Sequence, residues 1–470
     1  MSAAVAAQTV TVDGSKTHQT IDGWTNQLRV WDDPHVTDTF RPARPGEDAG
    51  RSAVDIPFAV QEEILDRLYK DLGLTHVQAL LEGGAQAAKG GTWNFNWKRN
   101  DAQIAYVKQA RPHGLAKWVV WTFSGESWMS ITDPTERVEW LMVLLRRWRD
   151  MGVEPPYVTL IDEPSNDGIA SSKDITPTYL REAVRQLGRK LHDEKFATRI
   201  VAPESLNLSD AVRFLDPIMA DPETRDYVGA ISTHLYGDGL NLCQLAEVRD
   251  KYAKPYGKPI WMSEFSQSSV GGPFNYALLM HGLLADYDVV NVAYEWGFFG
   301  QWERPGANLI EINYNGAPGY EYTGYTRKKA YYFFGQFSRF VGAGAKRIAA
   351  LAVDPLKVSA YVNGGKLVIV ALNTDHSPRP GVTFKLAGIP DLKMVSATRT
   401  SETEDWVELP ALGVAAGAFV ADLPPKSVTT FVGGMAASGP PMAAAQETGR
   451  RWASRRRRGS CSSLTALRSC

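Results

Sequence analysis

Cysteine is scarce in this chain. There are three in 470 residues, Cys243, Cys461 and Cys470, and two of them fall in the last ten positions. That excludes a disulfide framework and a paired-cysteine metal site. No apolar run approaches the roughly 18 residues that a membrane-crossing helix needs, so no membrane partner is expected. Charge of one sign is also missing. Lys+Arg number 51 and Asp+Glu 52, a net charge of −1, so bulk charge recruits no nucleic acid. HExxH, GxSxG and glycine-rich phosphate loops are absent, and no His/Asp pairs stand at metal-ligand spacing. The expectation is therefore no cofactor and no metal. The N-terminus, MSAAVAAQ, is too short for the apolar core of an export signal, though its small residues resemble the end of one. A secreted or periplasmic location is expected, with the signal removed or not included; a cytoplasmic one is the alternative.

What is present is ordinary in bulk and unusual in detail. Hydrophobic residues make up 44% and charged residues 22%, as in a soluble globular protein. The length points to a large barrel with a smaller module. Tryptophan is abundant, 14 residues beside 18 Tyr and 17 Phe. Such a surplus suits stacking on flat ligands or sugar rings.

The chain organises itself around YVTLIDEPSN, residues 157–166. An apolar, β-branched run stops on Asp162, Glu163 and Pro164. Proline cannot continue a central strand, so the run reads as a buried parallel strand with two carboxylates at its C-terminal mouth. Two acids there are costly to desolvate, and the plain alternative is a cap for the next helix.

Seven more segments repeat the alternation of apolar strand and amphipathic helix. The strands are expected at 28–31, 74–81, 118–123, 199–203, 228–235, 259–262 and 289–296. Thr176 and Pro177 start one intervening helix, and Asp133, Pro134 and Glu136 another. Eight such repeats argue a (β/α)8 TIM barrel over residues 19–343. Past Gly344, short alternating segments with Gly, Pro and Asn turns argue an all-β sandwich over 344–433. TVTVD at 9–13, within an N-terminal segment 1–18, reads as an edge strand pairing with that sandwich. Residues 434–470 are small, Pro-containing and basic, and are expected to be a disordered tail.

A (β/α)8 barrel places its active site at the C-terminal strand ends. The acids falling there are Glu82, Glu126, Asp162, Glu163, Glu204, Glu264 and Glu295. Trp24, Trp121, Trp128, His234, Tyr236, Trp261 and Trp296 collect at the same rim. Carboxylates accept bonds from sugar hydroxyls, and aromatic faces stack on C–H surfaces. Glu163 closes the fourth strand and Glu264 the seventh, which sets them across the mouth. Retaining glycosidases hold an acid and a nucleophile about 5–5.5 Å apart; inverting ones need about 6.5–9.5 Å.

At this point the chain resembles the clan A glycoside hydrolases, and most closely family 30. The likeness rests on IDGW at 21–24, EP at 163–164, HLYG at 234–237, WMSEFS at 261–266, YYFFGQFSRFV at 331–341 and PPKSVTTFV at 424–432. The resemblance implies a retaining hydrolase of β-linked glycans, with Glu163 as acid/base and Glu264 as nucleophile. It also implies that Tyr236 orients Glu264 and that Trp296 floors a sugar subsite. His234, Trp24, Trp128, Glu82, Glu295 and Asp162 complete the expected substrate site. The expected partner is an oligo- or polysaccharide bound by a monomer. The chain departs from the clan at Asp162, where an Asn usually donates a hydrogen bond to the sugar. An ionised Asp can only accept, and its charge raises the pKa of neighbouring acids. The clan's second-strand Arg is also missing; Gln78 lies in that segment, and Arg29 is a candidate replacement. The competing reading is a catalytically weak carbohydrate-binding barrel.

Overall fold

The computed structural model describes residues 8–28, 56–81, 97–122, 129–166, 172–238, 240–266, 270–301, 308–315, 322–390 and 392–435. The expected tail begins later than residue 434, since Gly434 ends the last strand and Met435 N–H bonds the Gly365 carbonyl; the rest of it, the loop after residue 31, Arg29, Glu82, Glu126 and Trp128 lie outside the described residues.

The strands, in chain order, are β1 (Thr9–Thr20), β2 (Gly23–Leu28), β3 (His76–Leu81), β4 (Lys117–Thr122), β5 (Tyr157–Thr159), β6 (Arg199–Ser205), β7 (Val228–His234), β8 (Ile260–Glu264), β9 (Asn291–Gly300), β10 (Asn308–Tyr314), β11 (Tyr322–Arg327), β12 (Lys346–Leu351), β13 (Leu356–Asn363), β14 (Lys366–Asn373), β15 (Arg379–Ala387), β16 (Met394–Thr400), β17 (Val407–Gly413), β18 (Ala418–Leu423) and β19 (Ser427–Gly434). Strands β2 to β9 pair in parallel, each with the next, and β9 pairs back to β2. The result is a closed eight-stranded parallel barrel, a (β/α)8 TIM barrel, joined to a second, β-rich unit.

Strand parity decides what enters the barrel, because successive side chains point to opposite faces. Val119, Val201, Ala230 and Trp261 meet in one buried interior cluster. Residues one step out of phase face the helices. Trp24 is one of these: its Nε1–H donates to the Val341 carbonyl (2.6 Å), and its ring meets Phe334 edge-on at 5.8 Å. The expectation of Trp24 in the substrate site is thereby corrected. The first barrel strand is Gly23–Leu28, earlier than the expected 28–31, and in that register Trp24 points outward.

The helices form where the sequence signals them. Thr176 caps Pro177–Asp193 by accepting the Tyr179 N–H at 3.1 Å, with Pro177 at the first helical position. Beyond β9, where composition rich in aromatic and polar residues reads as a loop, the chain forms two further strands. β10 extends the sheet parallel to β9, and β11 turns back antiparallel.

The second unit is one nine-stranded hydrogen-bonded sheet in the order β17-β16-β19-β14-β13-β12-β1-β15-β18. Phe384, Phe419 and Phe431 fill its interior with ring centroids 4.7–5.1 Å apart. β14 is buried on both faces. Leu367, Ile369 and Ala371 enter that interior, while Val368, Val370 and Leu372 join the core around the barrel helices. β1 is not an edge strand, as TVTVD had suggested. It is long, bulged after Asp13, and lies between β12 and β15. The barrel's last helix, Lys329–Ser338, seats this unit. Trp406 Nε1–H donates to the Tyr332 carbonyl at 2.8 Å, and its ring lies 5.1 Å from that of Tyr331.

Candidate active site

The mouth is built from the ends of consecutive strands. The ladder of β5 ends at Thr159, shorter than the apolar run suggested. Leu160 and Ile161 stay buried and deliver Asp162 and Glu163 to the rim. Glu163 adopts φ 44° and Glu204, at the end of β6, φ 58°. Left-handed backbone at a non-glycine residue is strained. Each strained residue is held by a hydrogen bond: Glu163 N–H to the Glu204 carbonyl at 2.9 Å, and Glu204 N–H to Ser232 Oγ at 3.1 Å. The twist turns both carboxylates inward at strand ends that would otherwise splay them.

His234, at the end of β7, is fully buried at the centre. Its Nδ1 bonds Glu163 Oε1 at 2.9 Å and lies 3.9 Å from Glu264 Oε2. Its Nε2 lies 3.5 Å from Glu204 Oε2 and 3.8 Å from Asp162 Oδ1. One carboxylate oxygen each of Glu163 and Glu264, together with His234, fall within 4.8 Å of one another, as do ligand atoms of Asp162, Glu204 and His234. Glu163 and Glu264 keep 6% and 7% exposure and Asp162 3%, against 1% for Glu204, so the first two are the acids most open to a cleft ligand, with Asp162 next to them.

Each exposed acid is gripped on both sides. Asn166 Nδ2–H donates to Glu163 Oε2 at 2.5 Å. Tyr236 O–H donates to Glu264 Oε1 at 2.5 Å, and Gln27 Nε2–H donates to Glu264 Oε2. Gln27 and Asn166 were missed from the sequence. Once β2 is set to Gly23–Leu28, the parity that sends Trp24 outward sends Gln27 inward. Asp162 accepts the Trp121 Nε1–H at 3.0 Å, and its carbonyl accepts from Ser172 Oγ at 2.5 Å. Trp121, Trp296 and Phe299 form a buried aromatic cluster beside it, with Trp296 stacked on Phe299 at 5.2 Å. Glu295 is buried in β9, its N–H donating to the Phe265 carbonyl. Trp261 is not at the rim; it lies inside the barrel, 4.7 Å from Tyr157. Gln78 is buried in β3.

The electrostatics follow from burial and crowding. For His234, burial opposes charge, but the Glu264 charge and the bond to Glu163 outweigh it and hold the imidazolium well above its usual range. For Glu264, burial pushes the carboxyl up to about 7; His234 opposes, Glu295 and Glu163 push further, and the Tyr236 bond pulls back. Asp162 is raised well above the ordinary carboxylate range, by burial first, against His234, with Glu264, Glu163 and Glu204 adding to it. The spacing of the two His234-centred trios would admit a cation.

Two buried carboxylates, Glu163 and Glu264, thus meet around one imidazole at the mouth of a (β/α)8 barrel. Known proteins match this frame. No family model matches the chain. Glucuronoxylanase XynC of Bacillus subtilis (strain 168) is 31% identical over 251 residues, 50% of this chain and 52% of that protein. A second Bacillus subtilis protein of the same name is 29% identical over 246 residues. The chain thus spans about half the length of the curated relatives it matches. Among solved structures, the family 30 subfamily 8 xylanase Xyn30A of Clostridium acetobutylicum aligns at TM-score 0.68 and 23% identity, over 90% of this chain and 99% of that one. The catalytic domain of xylanase C from Talaromyces cellulolyticus aligns at TM-score 0.71 and 20% identity, with the same coverage. The fold is that of the family 30 glycoside hydrolases, and the family resemblance read in the motifs is met again in these relatives.

Proposed function

We propose that the chain is a retaining glycoside hydrolase acting on β-linked glycans, with Glu264 as nucleophile and Glu163 as acid/base. One observation carries the reading: oxygens of Glu163 and Glu264 fall within 4.8 Å of each other around His234. Carboxylates brought that close suit direct attack of one of them on the anomeric carbon. In the first step a Glu264 oxygen bonds the anomeric carbon while Glu163 gives its proton to the departing glycosidic oxygen. Forming the glycosyl ester consumes the charge of Glu264. The loss of that neighbouring negative charge then favours Glu163 as the base that takes a proton from water. Tyr236 and Gln27 fix the two Glu264 oxygens, and His234 and Asn166 fix those of Glu163. Trp296 and Trp121 supply apolar surface beside the reacting ring.

Xylan is the first substrate to test, because the relatives are named xylanases. The experiment is hydrolysis of xylan and a panel of aryl β-glycosides by the wild type and by Glu264→Ala, with the anomeric configuration of the first product followed by NMR. Retention, and loss of turnover in the variant, support the reading. Inversion of configuration removes the nucleophile role of Glu264. An intact panel and intact polysaccharides leave the carbohydrate-binding barrel as the better account.

A further inference from the structure

Asp162, Glu163, Glu204 and Glu264 face one imidazole, that of His234, and all five are buried. With Glu163 holding the proton it gives as acid, ionised Asp162, Glu204 and Glu264 would still set three negative charges against one positive charge in a buried space. Uncompensated buried charge is costly, so at least one further acid retains its proton. The contacts narrow which one. Glu264 accepts from Tyr236 and Gln27, and Glu163 from His234 and Asn166. Glu204 stands nearer to His234 Nε2 than Asp162 does, 3.5 against 3.8 Å. Asp162 has a single donor, Trp121 on Oδ1, and its Oδ2 takes no hydrogen bond from the described residues. It also faces acids from three directions: Glu163 beside it, Glu204 from β6 and Glu264 from β8.

Building on the glycosidase reading above, we propose that Asp162 works as a neutral carboxylic acid, its Oδ2–H donating a hydrogen bond to a hydroxyl of the sugar ring held between Glu163 and Glu264. An ionised carboxylate accepts only, whereas a neutral one donates as well. The crowding that looks like a defect in the sequence thus supplies a donor. The direction of the Asp162 titration, upward through burial and the three acids, agrees with this assignment.

The test has two readouts. Protein carrying carboxyl-13C aspartate is recorded at pH 7 by NMR, which leaves every glutamate silent. One aspartate is expected in its neutral form, and Asp162→Asn removes that signal. A wild type with no neutral aspartate, or a neutral signal that survives Asp162→Asn, overturns the proposal. The second readout is kinetic. Asp162→Ala lowers kcat/KM by about tenfold or more, the scale of one hydrogen bond to a reacting sugar. Asp162→Asn, which can still donate, recovers most of that loss. An Asn variant no better than Ala overturns the proposal. A wild type that cleaves no glycoside sinks the hydrolase reading, and the NMR readout still decides the state of Asp162.

Discussion

His234 Nδ1 lies 2.9 Å from Glu163 Oε1 and 3.9 Å from Glu264 Oε2, so a single buried cation bridges the two acids that face the cleft. Replacing it exposes how much of the site rests on that charge. His234→Gln is expected to lower kcat by about 100-fold, the scale of losing one preorganised polar group. It should also move the acidic limb of the rate profile to higher pH, because the imidazolium is the main influence holding the Glu264 carboxyl down. An unmoved limb in the variant counts against the bridge.

Activity and stability should move in opposite directions with pH. A nucleophile must be ionised, and Glu264 is raised to about 7. The kcat/KM of the free enzyme should therefore fall as pH drops below about 7. The folded state binds this proton more tightly than the unfolded chain, whose carboxyl has its ordinary value of 4.5. Stability from this group is thus greatest below 4.5 and declines as pH rises toward 7. His234, also raised, acts in the same direction: its contribution is full below 6.5 and is lost as pH climbs through its folded value. Melting temperature scanned from pH 5 to 8 should fall while activity rises.

Tyr236→Phe removes the hydroxyl that donates to Glu264 and changes little else in volume. That bond lowers the Glu264 carboxyl, so its loss raises it further. The expected result is about a tenfold fall in kcat/KM at neutral pH, with much of the loss recovered at alkaline pH. A loss equal at every pH would point to misplaced substrate instead of a changed nucleophile.

Trp406 ties the β-rich unit to the barrel's last helix, and Gly335 is the position that admits it. A Cβ at Gly335 would stand 2.0 Å from the Trp406 ring. Gly335→Ala and Trp406→Ala should each destabilise by about 3 kcal/mol, one by overpacking and one by a cavity. Both should leave kcat of the remaining folded enzyme intact. Denaturation with parallel assays checks this.

The fold was legible where periodicity is long and unambiguous. Eight apolar strands alternating with capped helices admit few arrangements, and Thr176-Pro177 marks a helix start that the structure reproduces. β10 and β11 were hidden because their tyrosines and asparagines look like loop composition; pairing with β9 decides their state, and that lies outside any local window. Trp24 shows the sensitivity of parity. Placing the first strand a few residues late turns an outward Trp into a rim residue and conceals Gln27, its neighbour of opposite face. Glu163 and Glu264 could be paired from the sequence because strand ends converge in a barrel. The strained backbone at Glu163 and Glu204, which sets their direction, carries no sequence signature.

β1 has a consequence for the order in which the protein is made. Thr9 to Asp13 pair with residues 383–387, and Thr11 to Thr20 with 346–351. In a nascent chain β1 is therefore a hydrogen-bonding strand whose partners are synthesised only after the barrel strands. The N-terminal segment must wait, unpaired, through more than three hundred residues of translation. Pairing β1 with β12 and β15 closes a loop around the barrel, so the two units are fastened on both sides of it in sequence.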